Sequence, residues 1–208
     1  MGAHKATSPQ PAPPRARTVA TFYGALLVVG FFWHGISQDT NDLWRLQPDQ
    51  DLATLIWTPG VGIIVGLLTV QGFRVLQGRM LWLGELHREF SSIFGRPPSR
   101  ELFLLAAASA VGEEVLFRGA MLDNWGLIAS SVVFALLHIP PRLSLWPWTV
   151  SAMVMGFGFG ILTLVTGNLG AAVAAHFVIN LQNLTYITRN RPPLALRGPV
   201  RPADLPPR

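Results

Sequence analysis

The chain has 208 residues, half of them hydrophobic and 13% charged, with no cysteine and a formal net charge of +5. A charged fraction this far below the roughly 25% of soluble domains excludes a water-soluble fold. The lack of cysteine excludes disulfides, thiolate metal ligands and a thiol nucleophile. A basic balance can signal nucleic acid. Here the arginines sit where orientation in a membrane and contact with anionic lipid account for them, so no nucleic-acid partner is expected.

Residues 1–17 are rich in Pro and Ala, cannot bury apolar area, and read as a disordered tail. A first span follows over 18–37. It is too long for a signal-peptide core and lacks a small-residue cleavage site after it, so it reads as a retained helix. The loop 38–51 is acidic, with Asp39, Asp42, Asp49 and Asp51. A second span covers 52–75, with Pro59 and Gly60 near its start, where neighbouring helices or water can satisfy a freed carbonyl. In the polar stretch 77–100, Met80, Leu81, Leu83, Leu86, Phe90 and Ile93 recur at helical spacing between Arg79, Glu85, Arg88 and Glu89. That pattern fits a helix lying along the interface, with an ordinary solvated connector as the competing reading. The third span is 101–123. The fourth, 125–139, is short and stopped by Pro140-Pro141. The fifth, 148–166, carries Gly156, Gly158 and Gly160, which allow close helix approach, and the sixth is 169–187. Residues 188–208 return to a Pro and Arg bias and read as a flexible tail. Trp33, Trp44, Trp125, Trp146 and Trp148 fall near span ends, as an aromatic belt predicts.

Placing the N-terminus inside puts Lys5, Arg15 and Arg17 inside, followed by Arg74, Arg79, Arg88, Arg96, Arg100, Arg142 and the C-terminal arginines. Only Arg45 falls outside, and Arg118 lies within the third span. The expected fold is all-α: a polytopic transmembrane helical bundle of about six spans with both termini cytoplasmic. A bacterial inner membrane is the expected location. Residues 18–98 form two spans plus a connector, and 99–187 a four-span core.

Two adjacent glutamates interrupt the third span. An ionised carboxylate at bilayer depth costs from about 2.5 kcal/mol upward, so the pair needs a reason. Glu114 and Arg118 are four apart and share a helix face, which largely cancels two costly charges. Glu113 points about 100° away and has no opposite charge at helical spacing. Such a carboxyl suits general acid–base work. The fourth span supplies Phe134-x-x-x-His138 and the sixth His176-x-x-x-Asn180. An amide one turn from an imidazole can fix its orientation or donate to an oxyanion. Glutamate, two histidines and an asparagine could activate water and stabilise a tetrahedral intermediate. His34 reads as structural or interfacial, His87 and His4 as solvated, and Phe134 as wall packing.

Glu113-Glu114-Val115-Leu116-Phe117-Arg118 fits the E-E-x-x-x-R motif of the CPBP family, the CAAX protease and bacteriocin-processing (Abi) membrane proteins. Phe134 to His138 fits that family's F-x-x-x-H motif, and His176 to Asn180 its H-x-x-x-N motif, in matching order over roughly 99–186. The chain therefore resembles an intramembrane endopeptidase of the Ras-converting CAAX type. The resemblance implies that Glu113 is the catalytic glutamate, acting with His138 to activate water. His176 and Asn180 would stabilise the oxyanion, and Glu114 with Arg118 would support the site. It implies a membrane-anchored protein or peptide as substrate. No cofactor is expected. Zinc is the alternative, with Glu113, His138 and His176 as ligands, although H-E-x-x-H is missing. A proton-coupled transporter and a non-catalytic immunity or scaffold protein are the competing functions. Substrate identity and oligomeric state are not encoded in any readable motif.

Overall fold

The computed structural model describes residues 16–38, 42–47, 49–77, 79, 81–140 and 142–190. The expected tails therefore fall almost wholly outside the described residues. Those residues form α1 (Ala16–Gln38), α2 (Leu52–Gln77), α3 (Leu81–Phe94), α4 (Ser99–Glu114), a π-helical segment (Val115–Met121), α5 (Leu122–Leu136), a 3₁₀ turn (Leu143–Leu145), α6 (Trp146–Thr166) and α7 (Gly170–Arg189). Among them there is no strand, only an isolated backbone pairing of Arg45 with Asn168.

Among the described residues, four helical stretches are long and apolar enough to cross a membrane: Thr18–Gln38, Leu52–Leu76, Ser99–Leu136 and Trp146–Thr166. Their outer faces present Ile36, Val75, Ile128 and Val165, each more than 70% exposed. In water such an apolar surface would be a liability; in a bilayer it is the lipid-facing coat. The chain is an all-helical membrane protein. The last helix, α7, is less apolar because His176, Asn180, Gln182, Asn183 and Arg189 interrupt it.

The 38-residue stretch Ser99–Leu136 is not straight. Gly126 adopts φ 77°, ψ 174°, a conformation closed to residues with a Cβ, and the chain doubles back there. Phe134 consequently meets Phe117 at 5.1 Å between ring centroids, where a continuous helix would hold them about 25 Å apart. The expected break between the third and fourth spans is thus a helical hairpin centred on Gly126.

Contacts fix the direction of each arm. Tyr23 abuts Gly112 and His34 bonds Gly119, so α1 runs parallel to the α4 arm. Gly62 abuts Ala171 and Gly66 abuts Ala175, so α2 runs parallel to α7. Asn180 bonds Ser109 while His176 bonds Glu114, so α4 and α7 are antiparallel. Ser131 faces Gly156 and Leu127 faces Gly160, so α5 and α6 are antiparallel. The six long arms alternate in direction, and α1 begins on the side of the bundle where α7 ends.

Several readings are refined. α2 runs unbroken through Pro59, preceded by Asp51, whose Oδ1 accepts the Thr54 amide at 2.8 Å. Bonds from the Thr54 side chain and backbone hold the Asp51 carboxyl below its usual range. The connector does contain a helix, α3, but its apolar side (Leu83, Leu86, Phe90) borders an internal cavity instead of lying free at the interface. Gly156 and Gly160 pack against α5, whereas Gly158 faces open space. His34 is structural, bonding the Gly119 carbonyl at 2.7 Å.

At Gly62 a Cβ would lie 2.1 Å from the Ala171 carbonyl oxygen, whereas at Gly60 it would meet nothing within 4 Å. Gly62→Ala should therefore prise α2 from α7 at a cost of about 1–3 kcal/mol. Gly60→Ala should be neutral or slightly stabilising. Thermal unfolding of the detergent-solubilised protein, variant against variant, reads the difference.

Candidate active site

The site is assembled at one depth from three helical arms. Glu113 and Glu114 end α4, His138 follows α5, and His176 lies in α7. His138 reaches the level of Glu113 because the two arms of the hairpin are nearly equal: His138 is 12 residues after Gly126, and Glu113 is 13 before it. α5 stops at Leu136, three residues before the end expected for the fourth span. The helix therefore ends before Pro140-Pro141, beside the cavity that His138 lines.

Glu114 is fully buried and shared by two donors. Arg118 Nη1 donates to its Oε1 at 3.1 Å, and His176 Nδ1 lies 2.6 Å from the same oxygen. Arg118, also buried, donates its other nitrogen to the Gly156 carbonyl at 3.1 Å and lies 4.4 Å above the Phe134 ring. The π-helical segment accommodates this cluster. The Leu122 amide steps five residues back to Phe117, and within this segment the Gly119 carbonyl lies 2.7 Å from His34 Nδ1.

Glu113 is a different kind of carboxylate. Its Oε2 is buried without a hydrogen-bond partner among the described residues. His138 Nε2 lies 3.9 Å from it and His176 Nε2 3.8 Å. Both imidazoles are pinned through their other nitrogen. His138 Nδ1 meets the Phe134 carbonyl at 2.7 Å, and His176 Nδ1 meets Glu114. With the proton on Nδ1, each Nε2 is an acceptor. Three acceptor atoms therefore converge, an arrangement that calls for a donor among them. The Phe134-to-His138 spacing now has a cause: at the helix end the Phe134 carbonyl is free to take the imidazole four residues on. Phe134 is also the wall expected of it, 4.5 Å from His138 between ring centroids, while Phe159 stacks on His176 at 4.9 Å.

Asn180 departs from the simplest reading. Its amide donates to Ser109 Oγ at 2.9 Å, and His176 is oriented by Glu114 instead. Two residues lay outside the sequence reading. Ser109 precedes Glu113 by one helical turn, and a serine in an apolar helix gives little signal. Tyr23, on α1, borders the cavity and interacts with the Glu113 carboxylate through its hydroxyl; no motif marks it. His87, read as solvated, is buried instead, at 2% exposure, because α3 packs onto the end of α7 and the imidazole Nε2 meets the Asn190 carbonyl at 3.0 Å.

A cavity of about 430 Å³ opens from Glu113, His138 and His176. Its walls are mainly apolar, with Leu86, Phe90 and Trp148 on the side closed by α3. Zinc would find donors of the right kind here. Yet among the described residues no group of three His, Cys, Asp or Glu side chains is placed to hold a metal ion.

Residues 97–182 match the Rce1-like family, described as type II CAAX prenyl endopeptidase. The chain is also 27% identical over 143 residues to an uncharacterized protein, YpbD, of Bacillus subtilis (strain 168), covering 69% of this chain and 74% of that one. No solved structure matches the chain.

Removing the Glu114 charge strands a buried guanidinium. Glu114→Gln should cost about 3–5 kcal/mol, while the double replacement Glu114→Leu with Arg118→Leu should recover much of it. Thermal unfolding in detergent and the level of protein in the membrane check both.

Proposed function

With an Rce1-like domain at residues 97–182 as the premise, we propose that this chain is an intramembrane endopeptidase that hydrolyses a peptide bond in a membrane-associated substrate. The observation that carries the reading is the partnerless Glu113 Oε2, faced by two imidazoles from other helices.

A water at about 2.8 Å from all three atoms would donate its hydrogens to two of them. Glu113 takes a proton as the water oxygen attacks the carbonyl carbon of the scissile bond. The developing oxyanion needs donors. Asn180 uses one amide hydrogen on Ser109 and has a second to give. As the second hydrogen of the water passes to His176 Nε2, the imidazolium formed, stabilised by the Glu114 carboxylate behind it, donates to the same oxygen and gives that proton up to the departing products. Glu113 then returns its proton to the leaving amine, closing the cycle with one water consumed. His138 holds the water in line, its own ring fixed by the Phe134 carbonyl. Glu114 and Arg118 act by positioning.

The substrate is a protein or peptide held at the membrane, since the cavity lies within a bundle whose flanks face lipid. Placing the arginine-rich ends at the cytoplasm orients α3 and the cavity mouth to that side, with both termini cytoplasmic. The cell membrane, as a multi-pass protein, is the proposed location. Activity without a resident metal is part of the proposal.

Glu113→Gln should lower cleavage by about 10²–10⁴-fold, the usual loss for a general base, with an unchanged protein level in the membrane. Mass spectrometry of membrane proteins from cells carrying wild type or Glu113→Gln should reveal peptide ends made only by the wild type. Identical peptide ends in both would remove the peptidase reading. Treating the active protein with a chelator should leave cleavage intact; loss restored by zinc would replace the metal-free mechanism.

A further inference from the structure

A helix outside the matched domain carries a hydroxyl into the site, and the mechanism above gives it no part. α1 turns one face to the bundle: Val19, Tyr23, Leu26, Gly30 and His34 recur at intervals of three or four residues and are buried or half-buried. Phe22 and Phe32, on other faces of the helix, are exposed. His34 is spent on the Gly119 carbonyl. Tyr23 is the phenol on that inward face, and a polar group turned inward on an otherwise apolar span calls for a partner.

Backbone contacts set the depth of this phenol. A Cβ on Gly112 would lie 2.6 Å from the Tyr23 carbonyl oxygen and 3.1 Å from the Tyr23 Cβ. A Cβ on Gly30 would lie 2.9 Å from the Leu116 Cα. With His34 on Gly119, α1 is held against the α4 arm at points on both sides of Glu113. A tyrosine near the start of a span often serves as an interfacial anchor; this one lies beside Gly112, level with the reacting centre. Its hydroxyl hydrogen-bonds the Glu113 carboxylate, and its side chain borders the cavity shared by Glu113, His138 and His176. Since Glu113 Oε2 has no hydrogen-bond partner among the described residues, the phenol holds the other oxygen.

A carboxylate that takes a proton from water must keep one oxygen free and hold it still. An arginine on Glu113 would fix it but cancel the charge that makes it a base, which is how Glu114 is held. A phenol supplies a single neutral donor, which fixes the carboxylate plane and leaves the charge in place. On the peptidase reading given above, we propose that Tyr23 is the positioning residue of the general base: its hydroxyl holds one Glu113 oxygen and turns the other toward His138 and His176. The site is then completed by a helix that lies outside residues 97–182. Gly30 and Gly112, which leave no room for a Cβ, let α1 come near enough to deliver the phenol.

The test uses the full-length protein in detergent, and its first part needs no substrate. Subtracting the infrared spectrum of Glu113→Gln from that of the wild type isolates the Glu113 carboxyl bands. The same subtraction in a Tyr23→Phe background isolates them without the hydroxyl. The bands should shift between the two pairs, because phenylalanine keeps the ring and removes only the donor; bands at unchanged positions would overturn the proposal. The second part follows the peptide whose new end only the wild type makes. Tyr23→Phe should lower kcat about 10- to 100-fold, the scale set by a reacting group displaced by about 1 Å, with KM and the unfolding midpoint unchanged. An unchanged kcat would also overturn the proposal. So would a loss accompanied by a lower midpoint or a higher KM, which would make Tyr23 a packing or substrate-contact residue. Shifted bands in a protein whose wild type makes no new peptide ends would keep the Tyr23–Glu113 bond and remove the peptidase. New peptide ends with unshifted bands would remove the role of Tyr23 alone.

Discussion

The arrangement depends on one shared oxygen. Glu114 Oε1 receives Arg118 from its own helix and His176 from α7, in a part of the bundle where each of these groups alone would be expensive. The arginine offsets the glutamate charge. The glutamate in turn commits His176 Nδ1, which leaves Nε2 directed at Glu113. A single ion pair thereby does two things: it stabilises a charge at depth and decides which way a neighbouring histidine faces. Its neighbour Glu113 is left uncompensated by the same arrangement, because one arginine cannot serve two carboxylates that point about 100° apart.

Geometry elsewhere in the chain delivers these groups to a common level. The hairpin at Gly126 matches the depths of His138 and Glu113 through its nearly equal arms. The π-helical segment after Glu114 carries both the buried Arg118 and the Gly119 carbonyl that meets His34. Close passage of α2 along α7 at Gly62 brings Arg74 and Tyr186 together at the other end of the cavity. The cavity is therefore lined along its length by the same helix, α7, which supplies His176 near its middle and Tyr186 near its end.

Much of this was legible in the sequence because membrane helices obey strong rules. Apolar length located the four stretches that are long and apolar enough to cross a membrane. Helical spacing identified the Glu114–Arg118 pair and left Glu113 as the unpaired acid. What escaped were features set by contacts between elements distant in sequence. Periodicity places α3 on an interface equally well whether its apolar side meets lipid or a cavity, so His87 read as solvated when it is buried. Asn180 sits one turn from His176, yet Ser109 on α4 takes its amide, which spacing along α7 could not foretell. Tyr23 carries no motif and approaches Glu113 only because Gly112 permits α1 to come close. The depth of His138 relative to Glu113 follows from the position of the hairpin turn at Gly126, which helical spacing does not fix.

The most direct test is an experimental density map at a resolution that shows ordered water. The account predicts a single water-sized feature within about 2.8 Å of Glu113 Oε2 and the Nε2 atoms of His138 and His176 together. A stronger feature at about 2.0 Å from these atoms would reveal a metal, and imidazoles turned away from Glu113 would dismantle the site; either result contradicts the account.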